Sequence, residues 1–164
     1  MELPFCPKCL ESPVLCGACR AKLDGGTLGG SDLLVSRELH ALRRDYPLED
    51  ASLDCVVETD SFYALFSRTP SALIGKGGRV VKRLGDKLHK RVKVIDSSAP
   101  AEAQLNEFLL PVRVQGVNRV YRSCGETVKI RFSRFDQKRL PVKEAAALAF
   151  ARKLYAADTE LVFE

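Results

Sequence analysis

The stretch "ALIGKGGRVVKRL", residues 72–84, sets three glycines and a lysine between an apolar run and a basic segment. A tight turn needs one glycine, or two, to reach left-handed backbone conformations. Gly75-Lys76-Gly77-Gly78 therefore carries more bare backbone than a turn requires, and six of the thirteen residues after Gly78 are Lys or Arg. Main chain without side chains, beside that much positive charge, points to a large anion approaching closely.

The flanking residues read as regular elements. "TPSALI" is a short helix with Thr69 as its cap and Pro70 at its first position. "RVVKRLGDKLHK" is a longer helix that buries Val80, Val81, Leu84 and Leu88, and "RVKVID" is a strand alternating basic and apolar residues. Upstream, "LDCVVETD" and "SFYALFSR" are β-rich runs joined at Asp60-Ser61, which predicts antiparallel neighbours. Before them, "DLLVSRELHALRRDYP" is a helix capped by Ser31 or Asp32 and ended by Pro47, with Leu34, Leu39, Leu42 and Tyr46 on its docking face. The order is helix, strand, strand, helix, glycine turn, helix, strand, which predicts a three-stranded sheet with helices on one face and an α+β class.

The order then recurs. "SAPAEAQLNEFLLP" is a helix, "VRVQGVNRVYR" and "ETVKIRFSRF" are strands joined at Ser123-Cys124-Gly125, "PVKEAAALAFARKLYA" is a helix and "TELVFE" a strand. This is an internal repeat of about 65 residues with little identity between copies. "DQKRLPV" stands in the second copy where the glycine turn would be.

Ile74, Gly75, Lys76, Gly77, Gly78, Arg79, Val80 and Val81 fill, in order, a pattern that resembles the KH-domain signature I-G-x-x-G-x-x-[IV]. The element order resembles the type II form of that fold, α-β-β-α-α-β, and the second copy resembles a degenerate KH domain. Tandem type II KH domains are what NusA transcription factors carry, and the chain resembles the short archaeal NusA-like KH proteins. The resemblance implies a clamp on the backbone of about four nucleotides of single-stranded RNA. Gly75 and Gly78 would admit sugar and phosphate to the main chain, and Gly77 and Lys76 would form the turn tip with the lysine charge at a phosphate. Leu73, Ile74 and Val81 would line an apolar groove for bases, while Arg79, Lys82 and Arg83 extend the positive field. Without glycines near Lys138-Arg139-Leu140-Pro141, the second copy should not clamp backbone this way. Arg131, Arg134, Lys138, Arg139 and Lys143 could meet phosphates there or be solvated charge, and Tyr121, Phe132 and Phe135 could stack on bases or fill the core. A nucleotide-binding P-loop is a poorer fit, because Lys76 is followed by glycine and no hydroxyl stands ready for Mg²⁺.

Four of the six cysteines lie within fourteen residues, as Cys6, Cys9, Cys16 and Cys19, in two C-x₂-C knuckles six residues apart. Four thiolates suit a tetrahedral, structural Zn²⁺ with no open position, and the pattern resembles the short zinc ribbons of transcription and translation proteins. Rubredoxin-like iron, an Fe–S cluster or two disulfides are the competing readings. Gly17 would let main-chain N–H groups approach a thiolate, and Cys55 and Cys124 read as inert thiols. The expected organisation is a zinc ribbon over residues 1–23, a glycine-rich joint over 24–31, a type II KH domain over 32–97 and a degenerate KH-like domain over 98–164.

Charge follows the same division. Residues 67–93 hold nine Lys or Arg against Asp86 alone, in a chain whose net charge is +5, so the remainder is net acidic. Residues 111–143 hold nine against Glu126 and Asp136. Such zones suggest a polyanion footprint, although solvated helix faces would carry the same charge. A hydrophobic fraction of 46% with 29% charged residues argues against wholesale disorder. No apolar run reaches the roughly 18 residues of a membrane span, and "MELPFCPKCLESP" lacks the features of a signal peptide, so a cytoplasmic protein is expected. His40 and His89 have no nucleophile or carboxylate arranged near them in sequence, so no enzyme and no small-molecule substrate are expected.

The expectation is therefore a single-stranded RNA-binding protein with RNA polymerase or ribosomal components as protein partners. By resemblance its role is modulation of transcription elongation or termination. Ribosome assembly or rRNA processing is the nearest alternative. A zinc-ribbon adaptor that uses the KH fold as scaffold is the alternative from another class.

Overall fold

The computed structural model describes residues 1–164, which divide into two compact units, Met1–Ser98 and Ala99–Glu164. Both are α+β, each built on one three-stranded mixed sheet. No helix is long and apolar enough to cross a membrane.

The first unit runs α1 (Pro7–Glu11), α2 (Gly17–Asp24), α3 (Gly30–Leu42), β1 (Cys55–Glu58), β2 (Phe62–Ser67), α4 (Pro70–Ile74), α5 (Arg79–Leu88) and β3 (Arg91–Asp96). A single 3-10 turn, Lys76–Gly78, separates α4 from α5. The sheet order is β1-β2-β3, with β1 antiparallel to β2 and β3 parallel to it. A parallel neighbour needs a crossover, and α4 with α5 supplies it. Tyr63 and Leu65 on one face of β2 pack with Val56, Val92 and Val94 beneath Val35, Leu39, Leu42, Leu73, Val80 and Leu84 of the three helices. The other face of β2, with Phe62, Ala64 and Phe66, is buried as well. Burial on both faces is why β2 reads as a continuous apolar run without alternation.

Several details depart from the sequence reading. α3 begins at Gly30 and ends at Leu42, and its buried line is Val35, Leu39 and Leu42, while Leu34 is exposed. Asp32 does cap this helix, but from its first turn rather than ahead of it. Its Oδ2 accepts the Gly29 N–H at 2.7 Å, and its Oδ1 accepts the Val56 N–H of β1 at 2.7 Å. One buried carboxylate thus satisfies an orphan helix donor and fixes β1 against the helix.

The cysteine segment is not a β-ribbon. Each Cys-x₂-Cys pair spans the start of a short helix: Cys6 precedes α1, with Pro7 at its first position, and Cys16 caps α2 by accepting the Cys19 N–H on its sulfur. The one strand-like contact of this segment is a parallel bridge from Glu2 to Ser52. The expected glycine joint is also shorter and is tied by hydrogen bonds. Gly25 N–H donates to Ala21 O, Gly26 N–H to Leu23 O and Leu28 N–H to Lys22 O. Leu28 and Leu33 then pack on Phe5, Cys9, Leu10 and Cys19, which makes residues 1–31 part of the first unit's core.

The second unit runs α6 (Ala101–Leu109), β4 (Gly116–Arg122), β5 (Gly125–Phe132), a 3-10 segment (Arg134–Arg139), α7 (Glu144–Tyr155) and β6 (Asp158–Phe163). Its sheet order is β4-β5-β6, again antiparallel then parallel. The repeat seen in the sequence is thus a repeat of topology. Arg122 pairs with Gly125, so Ser123 and Cys124 alone form the hairpin turn, and Gly125 takes φ 135°. Phe132 is fully buried with its ring 5.4 Å from that of Phe163, and Phe108 stacks on Phe150 at 4.1 Å. Gly116 faces Arg131 across the strands, where a β-carbon would come within 2.8 Å of the guanidinium.

Candidate nucleic-acid interface and cysteine cluster

The turn between α4 and α5 rests on three glycines with positive φ. Gly75, Gly77 and Gly78 have φ of 75°, 64° and 74°; the last two are left-handed helical, which costs an L-residue roughly 1–2 kcal/mol, and Gly75, with ψ 169°, lies in a region that is essentially glycine's alone. Gly75 has a second constraint, since a β-carbon there would lie 2.6 Å from Cγ2 of Val80. Around Gly77 and Gly78 there is open space instead. Their main chain is therefore bare on its outer side, at the N-terminal end of α5, where helix N–H groups lack internal partners.

Lys76 is exposed at the tip, and Arg79, Lys82 and Arg83, all exposed, lie on the first turns of α5. The later cations are already engaged: Lys87 pairs with Glu38 at 3.3 Å and Lys90 with Glu58 at 2.8 Å. Lys76, Arg79, Lys82 and Arg83 make no such pair, so the free positive charge is concentrated beside the bare backbone.

The apolar residues assigned to this site separate. Ile74 stands 39% exposed just before Gly75, in position to meet a ligand. Leu73, at 1%, is a core residue packed on β2 and lines no groove, because α4 must anchor one side chain on the sheet to hold the turn. Val81 is half-buried and lines a hollow of about 630 Å³ between α5 and β3. Lys82, Gly85 and His89 share its helix wall, and Arg91, Val92 and Lys93 form the strand wall. β3 is an edge strand of the sheet, so this wall lies at the sheet's margin. Gly85 lets the walls approach, since a β-carbon there would sit 3.1 Å from Lys90 O. Lys93 extends along Phe62 with Nζ 4.3 Å from the ring centre; burial, helped by Arg91, lowers its pKa. An anion in the groove would favour its charged form.

Sequence reading alone does not single out Gly85, His89, Arg91, Val92 or Lys93. The alternating "RVKV" strand is the available signal, but that β3 lies at the sheet edge beside α5 is a tertiary fact. A second hollow of about 690 Å³ opens near Phe5, His40 and Arg68. Its Arg68 is held by Glu2 and Asp54, and its Lys22 donates to Pro4 O, so most of its positive charge is already engaged.

The sulfurs of Cys6, Cys9, Cys16 and Cys19 all lie within 4.8 Å of one another, with Cys6 3.3 Å from Cys9 and 4.0 Å from Cys16. A tetrahedron with metal–sulfur bonds of about 2.3 Å has sulfur–sulfur edges of about 3.8 Å, so this cluster has the dimensions to hold one metal ion. Backbone N–H groups point at three of the sulfurs: Cys16 at Cys9 (3.1 Å), Cys6 at Cys19 (3.5 Å) and Cys19 at Cys16 (3.5 Å). The donors are the cysteines' own amides, where Gly17 was expected to open the approach. The Cys19 N–H, with the neighbouring thiols, brings Cys16 down to about 6. At Cys9 the Cys16 N–H acts in the lowering sense, but the Cys6 thiol and burial push the group up to about 12. Cys55 on β1 and Cys124 in the second unit's hairpin stand outside the cluster.

Two side chains of α3 lock the cluster to the sheet domain. Arg37 Nη2 donates to Ser12 O at 2.7 Å and to Cys9 O at 3.3 Å. His40, buried, sets Nε2 3.0 Å from Glu11 Oε1, and that contact lowers the Glu11 pKa. His40 is thus structural, whereas His89 stands at the end of α5 with φ 55° and lines the groove.

No protein-family model and no curated protein matches this sequence. Among solved structures, the crystal structure of APE1850 is similar, with a TM-score of 0.50 over 77% of this chain and 96% of that one. The two are 18% identical, and the likeness speaks for the fold alone.

Proposed function

We propose that this chain is a single-stranded RNA-binding protein of the tandem type II KH kind. The glycine turn would grip the backbone of about four nucleotides while the groove between α5 and β3 receives bases. The observation that carries this reading is the pairing of three positive-φ glycines with Lys76, Arg79, Lys82 and Arg83, none of them engaged in an ion pair. A turn that only closed a helical hairpin would have no need of the open backbone at Gly77 and Gly78. Phosphates would lie on the turn and the start of α5, and unstacked bases would meet Ile74 and Val81. The role that the NusA-like resemblance supports is modulation of transcription elongation or termination, with RNA polymerase as partner. The four cysteines would hold a structural Zn²⁺, for which an all-thiolate set with no open position is suited.

The test is fluorescence anisotropy with a labelled single-stranded RNA of about four nucleotides, the length a clamp takes, across a salt series. With four phosphates on the four cations, log K should fall against log salt with a slope of about −3. Lys76→Asp with Gly77→Asp should abolish binding with the circular dichroism spectrum unchanged, because Asp tolerates the left-handed conformation of Gly77 better than most residues. Retained binding by that variant would refute the clamp.

A further inference from the structure

In the first unit, α4 and the glycine turn fill the connection between β2 and α5. The corresponding connection in the second unit, between β5 and α7, holds the 3-10 segment Arg134–Arg139, which contains no glycine. It presents a different device. Phe135 is 82% exposed, more than any other large apolar side chain of the protein. The turn beneath it is well bonded: Ser133 Oγ accepts the Phe135 N–H at 3.4 Å, Asp136 N–H donates to Ser133 O at 2.9 Å, and Arg134 N–H donates to Glu164 O at 2.8 Å. The ring is therefore held outward on fixed backbone rather than carried on a loose tail.

Its surroundings are cationic. Arg134 and Lys138 are exposed and make no ion pair, and Arg139 stands 3.6 Å from Asp136, too far for a strong one. An exposed aromatic on hydrogen-bonded backbone among free cations is the combination that binds single-stranded nucleic acid without reading its sequence: a base stacks on the ring and the phosphates on either side meet the charges. The other exposed aromatic, Tyr121, lies near the far end of β5, opposite Glu126, and belongs to a different surface.

We infer that Phe135, with Arg134 and Lys138, forms a second RNA contact in which base stacking takes the place of the backbone clamp. The inference rests on the reading of the chain as an RNA-binding protein, but not on the glycine turn. The partner is single-stranded RNA; an acidic peptide would meet the same charges but has no base to stack.

The chain contains no tryptophan, so Phe135→Trp places the protein's one indole at the ring in question. This variant is titrated with an oligouridine longer than the about four nucleotides a clamp would take, and separately with poly-glutamate. In parallel, the affinity of the oligouridine is measured for Phe135→Ala, Phe135→Tyr and the Lys76→Asp/Gly77→Asp variant. The inference expects RNA to quench the indole fluorescence of Phe135→Trp, Phe135→Ala to weaken binding by roughly five-fold or more, and Phe135→Tyr to restore it. Arg134→Gln with Lys138→Gln should reduce the salt slope by about 1.4. Wild-type affinity in Phe135→Ala, with the indole of Phe135→Trp left unquenched, overturns the inference; if Lys76→Asp/Gly77→Asp abolishes binding in the same experiment, the clamp stands without it. Weakening by Phe135→Ala alongside full binding by Lys76→Asp/Gly77→Asp has the reverse meaning. Quenching by poly-glutamate and not by RNA makes the patch a protein-docking site and overturns the inference, and no RNA binding by the wild type overturns both readings.

Discussion

Gly75 sits against Val80: a β-carbon on the glycine would lie 2.6 Å from Cγ2 of the valine and 3.3 Å from its amide nitrogen. Val80 is itself 2% exposed and packed in the core above β2. The open end of the turn is thereby fastened to the hydrophobic core through one glycine, while Gly77 and Gly78 are left free.

This contact separates the glycines by experiment. Gly75→Ala meets both a positive φ and a clash with a core side chain, and should cost about 2–4 kcal/mol in urea denaturation. Gly77→Ala meets the conformational cost alone, about 1 kcal/mol. Equal destabilisation by the two would mean that the turn relaxes without displacing Val80.

The cysteine cluster is expected to stabilise α3 as well as its own segment, because Arg37 and the shared apolar cluster join them. Stripping a Zn²⁺-loaded protein with a strong chelator should speed amide hydrogen exchange along α3, and Cys9→Ser should do the same. Co²⁺ substitution should give the absorption bands of a tetrahedral tetrathiolate site. Unchanged protection of α3 after chelation would show the cluster to be peripheral.

Glu58 gathers Lys90 Nζ at 2.8 Å, Ser31 Oγ at 2.7 Å and Tyr63 OH at 3.2 Å, and these donors, Lys90 foremost, lower its pKa. A carboxylate depressed by folding stabilises the protein above its unfolded pKa of about 4.3, and the contribution is lost as pH falls through the folded value. Lys90→Met should move the Glu58 titration, followed by carbon NMR of its carboxyl, back up towards about 4.3. The site is largely exposed, so the shift should also shrink in high salt. A Glu58 titration that ignores Lys90→Met would assign the shift to Ser31 and Tyr63.

Much of this is legible in the sequence because the signals are local. β-branched runs, a proline at the first position of α4 and glycines in succession give the order of elements and the position of the turn in the first unit, and the same order recurs in the second. What stays hidden depends on partners distant in sequence. Asp32 reads as a helix cap, but its second acceptor serves Val56, 24 residues away. Leu73 and Ile74 are adjacent and equally apolar, and only docking onto β2 decides that the first is buried and the second exposed. The cysteine spacing points to the ligand set but not to its helices, since a C-x₂-C knuckle fits a hairpin or a helix start equally well. The groove escapes a sequence reading because its strand wall exists only once β3 takes the sheet edge beside α5.

The most direct measurement is a titration of the ¹⁵N-labelled protein with single-stranded RNA, followed through its amide resonances. The clamp predicts that the largest shifts fall on Gly75 to Val81, accompanied by Gly85 and by Arg91 to Lys93 along the groove. Shifts confined to the cysteine segment, or an unperturbed Gly75-Lys76-Gly77-Gly78 in a protein that binds RNA, would contradict it.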